Sequence, residues 1–145
     1  MRIRATFLGM LAIATCVAAT TPDSAVIVNS GSTNSVGYKI EVWPDGKASA
    51  TMQSRGGAPG TPKAFAVPAA TASRFFADLA AARKGNATSV PCMKSASFGT
   101  TTHVNWQGWV SPDLSCPPKG QLGDALVQDV DAIRKAAGIE EFPLH

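Results

Sequence analysis

The sequence predicts one α+β domain: an antiparallel sheet of two β-hairpins and a short N-terminal strand, with two helices packed on one face, in the order ββαββα. Alternating apolar residues flank glycine-containing turns at Gly46 and Gly108, as in β-hairpins. Two other stretches repeat apolar residues every three or four positions, as in amphipathic helices. Two apolar helix stripes are buried most simply against one apolar sheet face. The length of 145 residues suits one such domain.

Residues 1–19 have the three parts of a secretory signal peptide: basic residues at Arg2 and Arg4, an apolar run, and small residues ending at Ala19. The predicted organisation is therefore a signal peptide at 1–19 and a single exported domain at 20–145, in the periplasm or outside the cell. The apolar run is shorter than the roughly 20 residues of a membrane-spanning helix. No transmembrane segment is expected once the leader is cleaved.

The segment Ile13-Ala14-Thr15-Cys16 offers an alternative, because it is similar to the lipobox of bacterial lipoproteins. Thr15 stands where that family usually has Gly, Ala or Ser. A lipid anchor at Cys16 would make the protein an outer-membrane lipoprotein with a structural role at the envelope. Otherwise Cys16 is removed with the leader.

The charge of the exported domain excludes one class of partner. The chain has 13 basic and 10 acidic residues, and Arg2 and Arg4 fall in the leader, so the exported part is nearly neutral. Nucleic-acid binding needs clustered Lys and Arg, and is not expected. No metal motif or nucleotide fingerprint is found either, so no metal and no cofactor are expected.

The first half of the domain begins with a short strand at Val26-Ile27-Val28 and a hairpin. A three-residue loop, Pro44-Asp45-Gly46, places all the apolar residues of this hairpin on one face. It pairs Val42 with Ala48. A glycine- and proline-rich surface loop at 53–63 follows, and a helix is predicted from Pro68 to about Lys84.

The second half is predicted to repeat this plan. A hairpin spans residues 94–116 around the loop Trp106-Gln107-Gly108, with Val104 facing Val110 and Phe98 facing Cys116. The last helix carries an apolar stripe and ends at Gly138. This stripe consists of Leu122, Leu126, Val130, Ile133 and Ala137.

Two cysteines remain outside the leader. An even pair in an exported domain indicates a disulfide, here between Cys92 and Cys116. A zinc site would need further ligands, and His103 is the only interior histidine.

The predicted register gives the second hairpin a polar face with two candidate roles. His103 would lie opposite Ser111, with Asp113 a diagonal neighbour, which is the residue set of a small periplasmic hydrolase. Ser111 nevertheless has no nucleophile elbow around it. A solvated polar sheet face is therefore the favoured interpretation, with no catalytic residue.

Tryptophans give the second candidate site. Trp106 and Trp109 would straddle the hairpin tip beside His103 and Asn105, and Trp43 would flank the other turn. Exposed tryptophans stack on sugars or anchor protein partners. The alternative is that these tryptophans pack over a neighbouring strand or loop, which is the commoner case. The five residues are still the best candidate binding site for a glycan or protein, and we expect Trp106→Ala and Trp109→Ala to change stability little.

Five segments carry a resemblance to small exported bacterial proteins of unknown function. They are Asn29-Ser30-Gly31-Ser32, Val42-Trp43-Pro44-Asp45-Gly46, Phe76-Ala77-Asp78-Leu79, Cys92-Met93-Lys94-Ser95-Ala96-Ser97-Phe98-Gly99 and Ser111-Pro112-Asp113-Leu114-Ser115-Cys116. The resemblance implies no activity. The sequence therefore favours a non-enzymatic exported binding module, with the hydrolase and the lipoprotein as alternatives.

Overall fold

The computed structural model describes residues 23–54 and 57–140. They form a six-stranded antiparallel sheet, a separate two-stranded sheet and two helices, which confirms the predicted α+β class. The elements are β1 (Ala25–Asn29), β2 (Tyr38–Val42), β3 (Lys47–Met52), β4 (Lys63–Ala66), α1 (Ala69–Lys84), β5 (Thr88–Ser89), β6 (Thr102–Trp106), β7 (Trp109–Val110), β8 (Pro118–Lys119) and α2 (Gln121–Ala136). The predicted leader, including Cys16, lies outside the described residues.

The short N-terminal strand lies at the centre of the main sheet. The strand order is β4-β3-β2-β1-β6-β7, so β1 pairs with one strand of each hairpin. On one side of β1, Ala25 and Ile27 are fully buried. The strand therefore joins the two hairpins into one sheet, which gives both helices a common surface to cover.

The register of the first hairpin is confirmed. Val42 pairs with Ala48, and the Trp43 N–H donates to the Lys47 carbonyl across the three-residue loop. Gly46 has φ +85°, and a Cβ there would lie 2.6 Å from the Val67 carbonyl oxygen. The turn thus requires glycine for its backbone angle and for this close approach.

The predicted register of the second hairpin is wrong by one residue. Trp106 pairs with Trp109, so the loop contains only Gln107 and Gly108, with φ +47° and +75°. Two positive φ values define the type I′ turn that fits the twist of a hairpin. A one-residue slip moves every side chain of one strand to the other face. Here it turns Trp109 toward the helices and Val110 toward solvent.

The second hairpin is also shorter than predicted, because its ladder stops near Asp113. Residues 94–101 form no strand, so the expected pairing of Phe98 with Cys116 is wrong. Pro112 has no N–H to donate. On the facing strand, the Thr102 N–H donates to the Asp113 carboxylate, at 3.0 Å, in place of a backbone carbonyl.

Both predicted helices are confirmed. Helix α1 follows Pro68 and stops at Gly85, and α2 ends at Ala136, followed by the C-cap Ala137 and by Gly138, whose φ is +70°. Their apolar stripes pack with the sheet into one core, except at Leu122, which was predicted in the α2 stripe and is exposed. The largest fully buried apolar side chains are Phe75, Ile27, Ile40, Leu79, Leu126, Ile133, Val42 and Val104.

Two pieces of strand were not predicted. Strand β4 extends the sheet beyond β3, and Phe65 packs partly buried against the core. Strands β5 and β8, which both lie between α1 and α2 in the sequence, pair with each other. Both pieces are too short to show an alternating pattern of their own.

A buried carboxyl between the helices is the least expected feature of the fold. Asp129 on α2 is fully buried, and its Oδ1 accepts a hydrogen bond from Arg74 Nε on α1 at 2.6 Å. Its Oδ2 has no hydrogen-bond partner among the described residues. Burial raises the pKa of Asp129, the Arg74 hydrogen bond lowers it, and the nearby Asp78 carboxyl raises it again, so that the net direction is upward.

The raised pKa predicts how Asp129 affects stability. A carboxyl whose pKa is higher in the folded state stabilises fully below its unfolded pKa, and this contribution is lost as pH rises through the folded pKa. Asp129→Asn keeps the shape but cannot ionise. We expect this variant to be more stable than wild type at neutral pH and to lose the advantage in acid.

Thermal melts of wild type and Asp129→Asn between pH 3 and pH 8 measure this effect. Asp131→Asn is the matched control, because Arg134 and Lys135 hold the pKa of the Asp131 carboxyl below its ordinary value, through hydrogen bonds led by that of Lys135. That variant should be less stable than wild type at neutral pH. A destabilised Asp129→Asn at neutral pH would contradict the prediction.

Candidate functional site

The disulfide between Cys92 and Cys116 is present, with 5.5 Å between the two Cα atoms. It ties the segment that follows β5 to the chain just before β8. We call residues 90–98 the disulfide-held segment. Cys116 is buried, whereas most residues of this segment are exposed.

Further contacts fix the disulfide-held segment along its length. The Val90 N–H donates to the Pro117 carbonyl at 3.0 Å, and Lys94 Nζ forms an ion pair with Asp113 and a hydrogen bond to the Thr100 carbonyl. At the far end, the Ser97 carbonyl accepts the Asn34 N–H at 3.0 Å. The segment is thus held at several points although it has no strand or helix.

Met93 lies between two of these anchors and is fully exposed, at 101% of its reference area. Cys92 precedes it and Lys94 follows it. Two other large apolar residues of the same segment are also exposed, Val90 at 47% and Phe98 at 49%. Large apolar side chains held in water in one short segment point to a surface that contacts another molecule.

Lys94 and Asp113 form the electrostatic part of this arrangement. Partial burial opposes ionisation of Asp113, but hydrogen bonds from Lys94 and from the Thr102 and Ser115 N–H groups outweigh it and hold the pKa of the carboxyl below its ordinary value. The carboxylate therefore stays charged at neutral pH. Its charge keeps the Lys94 side chain turned inward, where that side chain is only 24% exposed.

The structure does not bring His103, Ser111 and Asp113 into one catalytic arrangement. Ser111 faces the core, where its Oγ donates to the Pro112 carbonyl and accepts the Val104 N–H, both at 2.9 Å. His103 faces the other side of the sheet, and its Nδ1 contacts the Ser111 backbone carbonyl rather than the hydroxyl. The one-residue shift in register causes this separation.

The predicted tryptophan surface is divided between the two faces of the sheet. Trp106 and Trp109 are partly buried against the core, and the Trp106 ring meets Phe76 edge-on at 6.2 Å between centroids. The expectation that both are exposed beside His103 is therefore wrong. Trp43 lies on the opposite face and is half-buried.

Packing of Trp106 changes the prediction for its removal. Trp106→Ala should lower the free energy of unfolding by about 2–4 kcal/mol, because it removes a large side chain from the helix side of the sheet. Trp43→Ala is the matched control, with an expected cost below about 1 kcal/mol. Urea denaturation measures both, and equal costs would contradict the placement of Trp106.

The face of the sheet away from the helices, which we call the open face, keeps two of the predicted binding residues. His103 and Asn105 alternate there with buried positions of β6, and Val28 pairs with both Lys39 and His103. The open face consists of Val26, Val28, Lys39, Glu41, His103, Asn105 and Val110. Val110 is 55% exposed.

Sequence reasoning missed the disulfide-held segment. A lone Met, Val or Phe in an irregular stretch carries no periodic signal, and the mistaken strand at 94–101 hid it. The proximity of Cys92 to Met93 was the one available clue.

Three comparisons with known proteins add no assignment. Neither the protein-family models, nor the curated proteins, nor the solved structures contain a match to this chain. Within residues 23–54 and 57–140, no three acidic, histidine or cysteine side chains are grouped as metal ligands would be. No helix in that part of the chain is long and apolar enough to span a membrane.

Proposed function

We propose that the exported chain is a non-enzymatic protein-binding module whose main contact is the disulfide-held segment, with Met93 at its centre. One observation carries the proposal: a fully exposed methionine lies between a disulfide at Cys92 and an ion pair at Lys94. The chemistry of the partner surface follows from this side chain, which needs an apolar pocket.

Energetics support a binding role for this arrangement. Binding costs free energy when flexible segments become ordered, and a segment that is already fixed avoids much of that cost. A few residues that fill pockets supply most of the affinity of a protein interface. Met93 has the exposure and the fixed neighbours that such a residue requires.

The placement of the tryptophans supports a protein partner over a glycan. Sugar binding by stacking needs exposed aromatic faces, and Trp106 and Trp109 are packed against the core instead. The disulfide supports an oxidising compartment. The open face, with His103, Asn105 and Trp43 at its edge, remains a predicted second contact area.

Site-specific photo-crosslinking tests the proposal. Benzoyl-phenylalanine would be placed at position 93 in the full chain, expressed in its own host and irradiated. Position 52 is the matched control, because Met52 is also exposed, at 40%, but lies at the end of β3. We expect a discrete protein adduct from position 93 alone, lost when excess purified wild type competes and kept when the competitor is Met93→Asp.

Two results would refute the proposal. One is the same set of adducts from positions 93 and 52, which would indicate random collision. The other is equal competition by wild type and Met93→Asp, which would show that this side chain contributes nothing to the contact.

A further inference from the structure

We infer that residues 90–95 occupy the substrate cleft of an endopeptidase whose specificity pocket accepts a large apolar side chain, with Met93 in that pocket. This rests on the proposed function and names its partner class. The protein would then act as a substrate-like inhibitor.

The backbone geometry supports a substrate-like contact. Residues 90–95 form no helix and no turn, and their chain path has no sharp bend, as a bound peptide substrate requires. Alternate residues are tied to the domain: Val90 by its N–H, Cys92 by the disulfide and Lys94 by its ion pair. Pro91 and Met93 alternate with them and are exposed.

The main chain is accessible at Lys94 as well. Lys94 as a residue is exposed, yet its side chain is only 24% exposed, so its backbone carries much of the exposure. A peptidase cleft holds an extended substrate by main-chain hydrogen bonds, as in strand addition, and places alternate side chains in pockets. The Lys94 backbone and the Met93 side chain present these two kinds of contact.

The anchors also explain why such a segment would resist digestion. Hydrolysis of the Met93–Lys94 bond would add one water and create a new carboxyl and a new amine. The disulfide at Cys92 and the contacts of Lys94 would keep both new ends in place. The ends would therefore leave the cleft slowly, and the cut chain would stay covalently joined through Cys116.

An endopeptidase fits these features better than a partner with a flat surface. A flat partner would need a broad apolar patch, whereas here Met93 alone is fully exposed, and Val90 and Phe98 are only about half exposed. Pre-organised segments of this kind bind peptidases with little change of shape. Other protein partners remain outcomes of the test below.

Inhibition assays with purified enzymes test the inference. Chymotrypsin and subtilisin, which accept large apolar side chains, and trypsin, which requires a basic one, would each be titrated with the full exported chain. We expect wild type to inhibit at least one of the first two and to spare trypsin. Met93→Lys should lose at least about 30-fold in that inhibition and should inhibit trypsin.

Met52→Lys is the matched control, because it makes the same change at another exposed methionine. It should inhibit as wild type does. The inference is overturned if wild type inhibits neither apolar-selective enzyme, if Met93→Lys does not change the specificity, or if the chain is digested rapidly to fragments. A position-93 adduct with a protein that is not a peptidase would overturn this inference and leave the proposed binding function standing.

Discussion

Replacing Cys92 and Cys116 together by Ala should lower the free energy of unfolding by about 3 kcal/mol, and by no more than about 5 kcal/mol. The two cysteines are 24 residues apart, so the disulfide restricts a sizeable loop of the unfolded chain. The same change should free the disulfide-held segment. Urea denaturation gives the stability, and hydrogen exchange at the Val90 amide, which donates to the Pro117 carbonyl, reports the freed segment.

Wild type treated with reductant is the control for the double variant. Reduced wild type should have the stability of the variant, because both lack only the cross-link. A loss below about 1 kcal/mol would show that other contacts already restrict the loop. Unchanged exchange at Val90 would show that the other contacts of the segment hold it without the disulfide.

Phe75→Ala should have a similar effect on stability, about 3–5 kcal/mol, because Phe75 is the largest fully buried apolar side chain. It lies on α1 among core residues of both helices and the sheet. Removing the ring leaves a cavity that the neighbouring core residues cannot fill.

Phe98→Ala is the matched control for this change. Phe98 is 49% exposed in the disulfide-held segment, so its removal should cost less than about 1 kcal/mol. Because both variants replace Phe by Ala, denaturation of the two shows how much of the stability loss is due to burial of the side chain. Equal losses would contradict the assignment of Phe75 to the core.

The first hairpin and both helices could be predicted because their signals are local and agree with each other. Pro44-Asp45-Gly46 fixes a loop length, and the alternation around it permits only one register with the apolar residues together. Pro68 and Gly85 similarly mark the ends of α1. Each element thus carries its own boundary residues.

The register of the second hairpin could not be predicted, because its flanking residues fit two loops. A three-residue loop pairs Val104 with Val110, and a two-residue loop pairs Trp106 with Trp109. The second is formed, since it places two large rings on the helix side, where Phe76 meets one of them. That contact comes from α1, about thirty residues away in the chain, and no local pattern reports it.

Asp129 and Met93 show the same limit for candidate functional residues. In the sequence, Asp129 looks like an ordinary polar residue of α2. Its burial becomes visible only when α1 is packed against it. Met93 reads as one apolar residue in an irregular stretch. Its importance depends on the anchors at Cys92 and Lys94, whose partners Cys116 and Asp113 lie further along the chain.

The central claim is that the Met93 side chain supplies binding energy to a protein partner. The most direct measurement uses the partner identified by crosslinking. Calorimetry would give its dissociation constant with wild type, with Met93→Ala and with the control Met52→Ala. We predict that Met93→Ala weakens binding by at least about 30-fold, as expected for a central interface residue, while Met52→Ala stays within about threefold. A Met93→Ala variant that binds as tightly as wild type would contradict the claim.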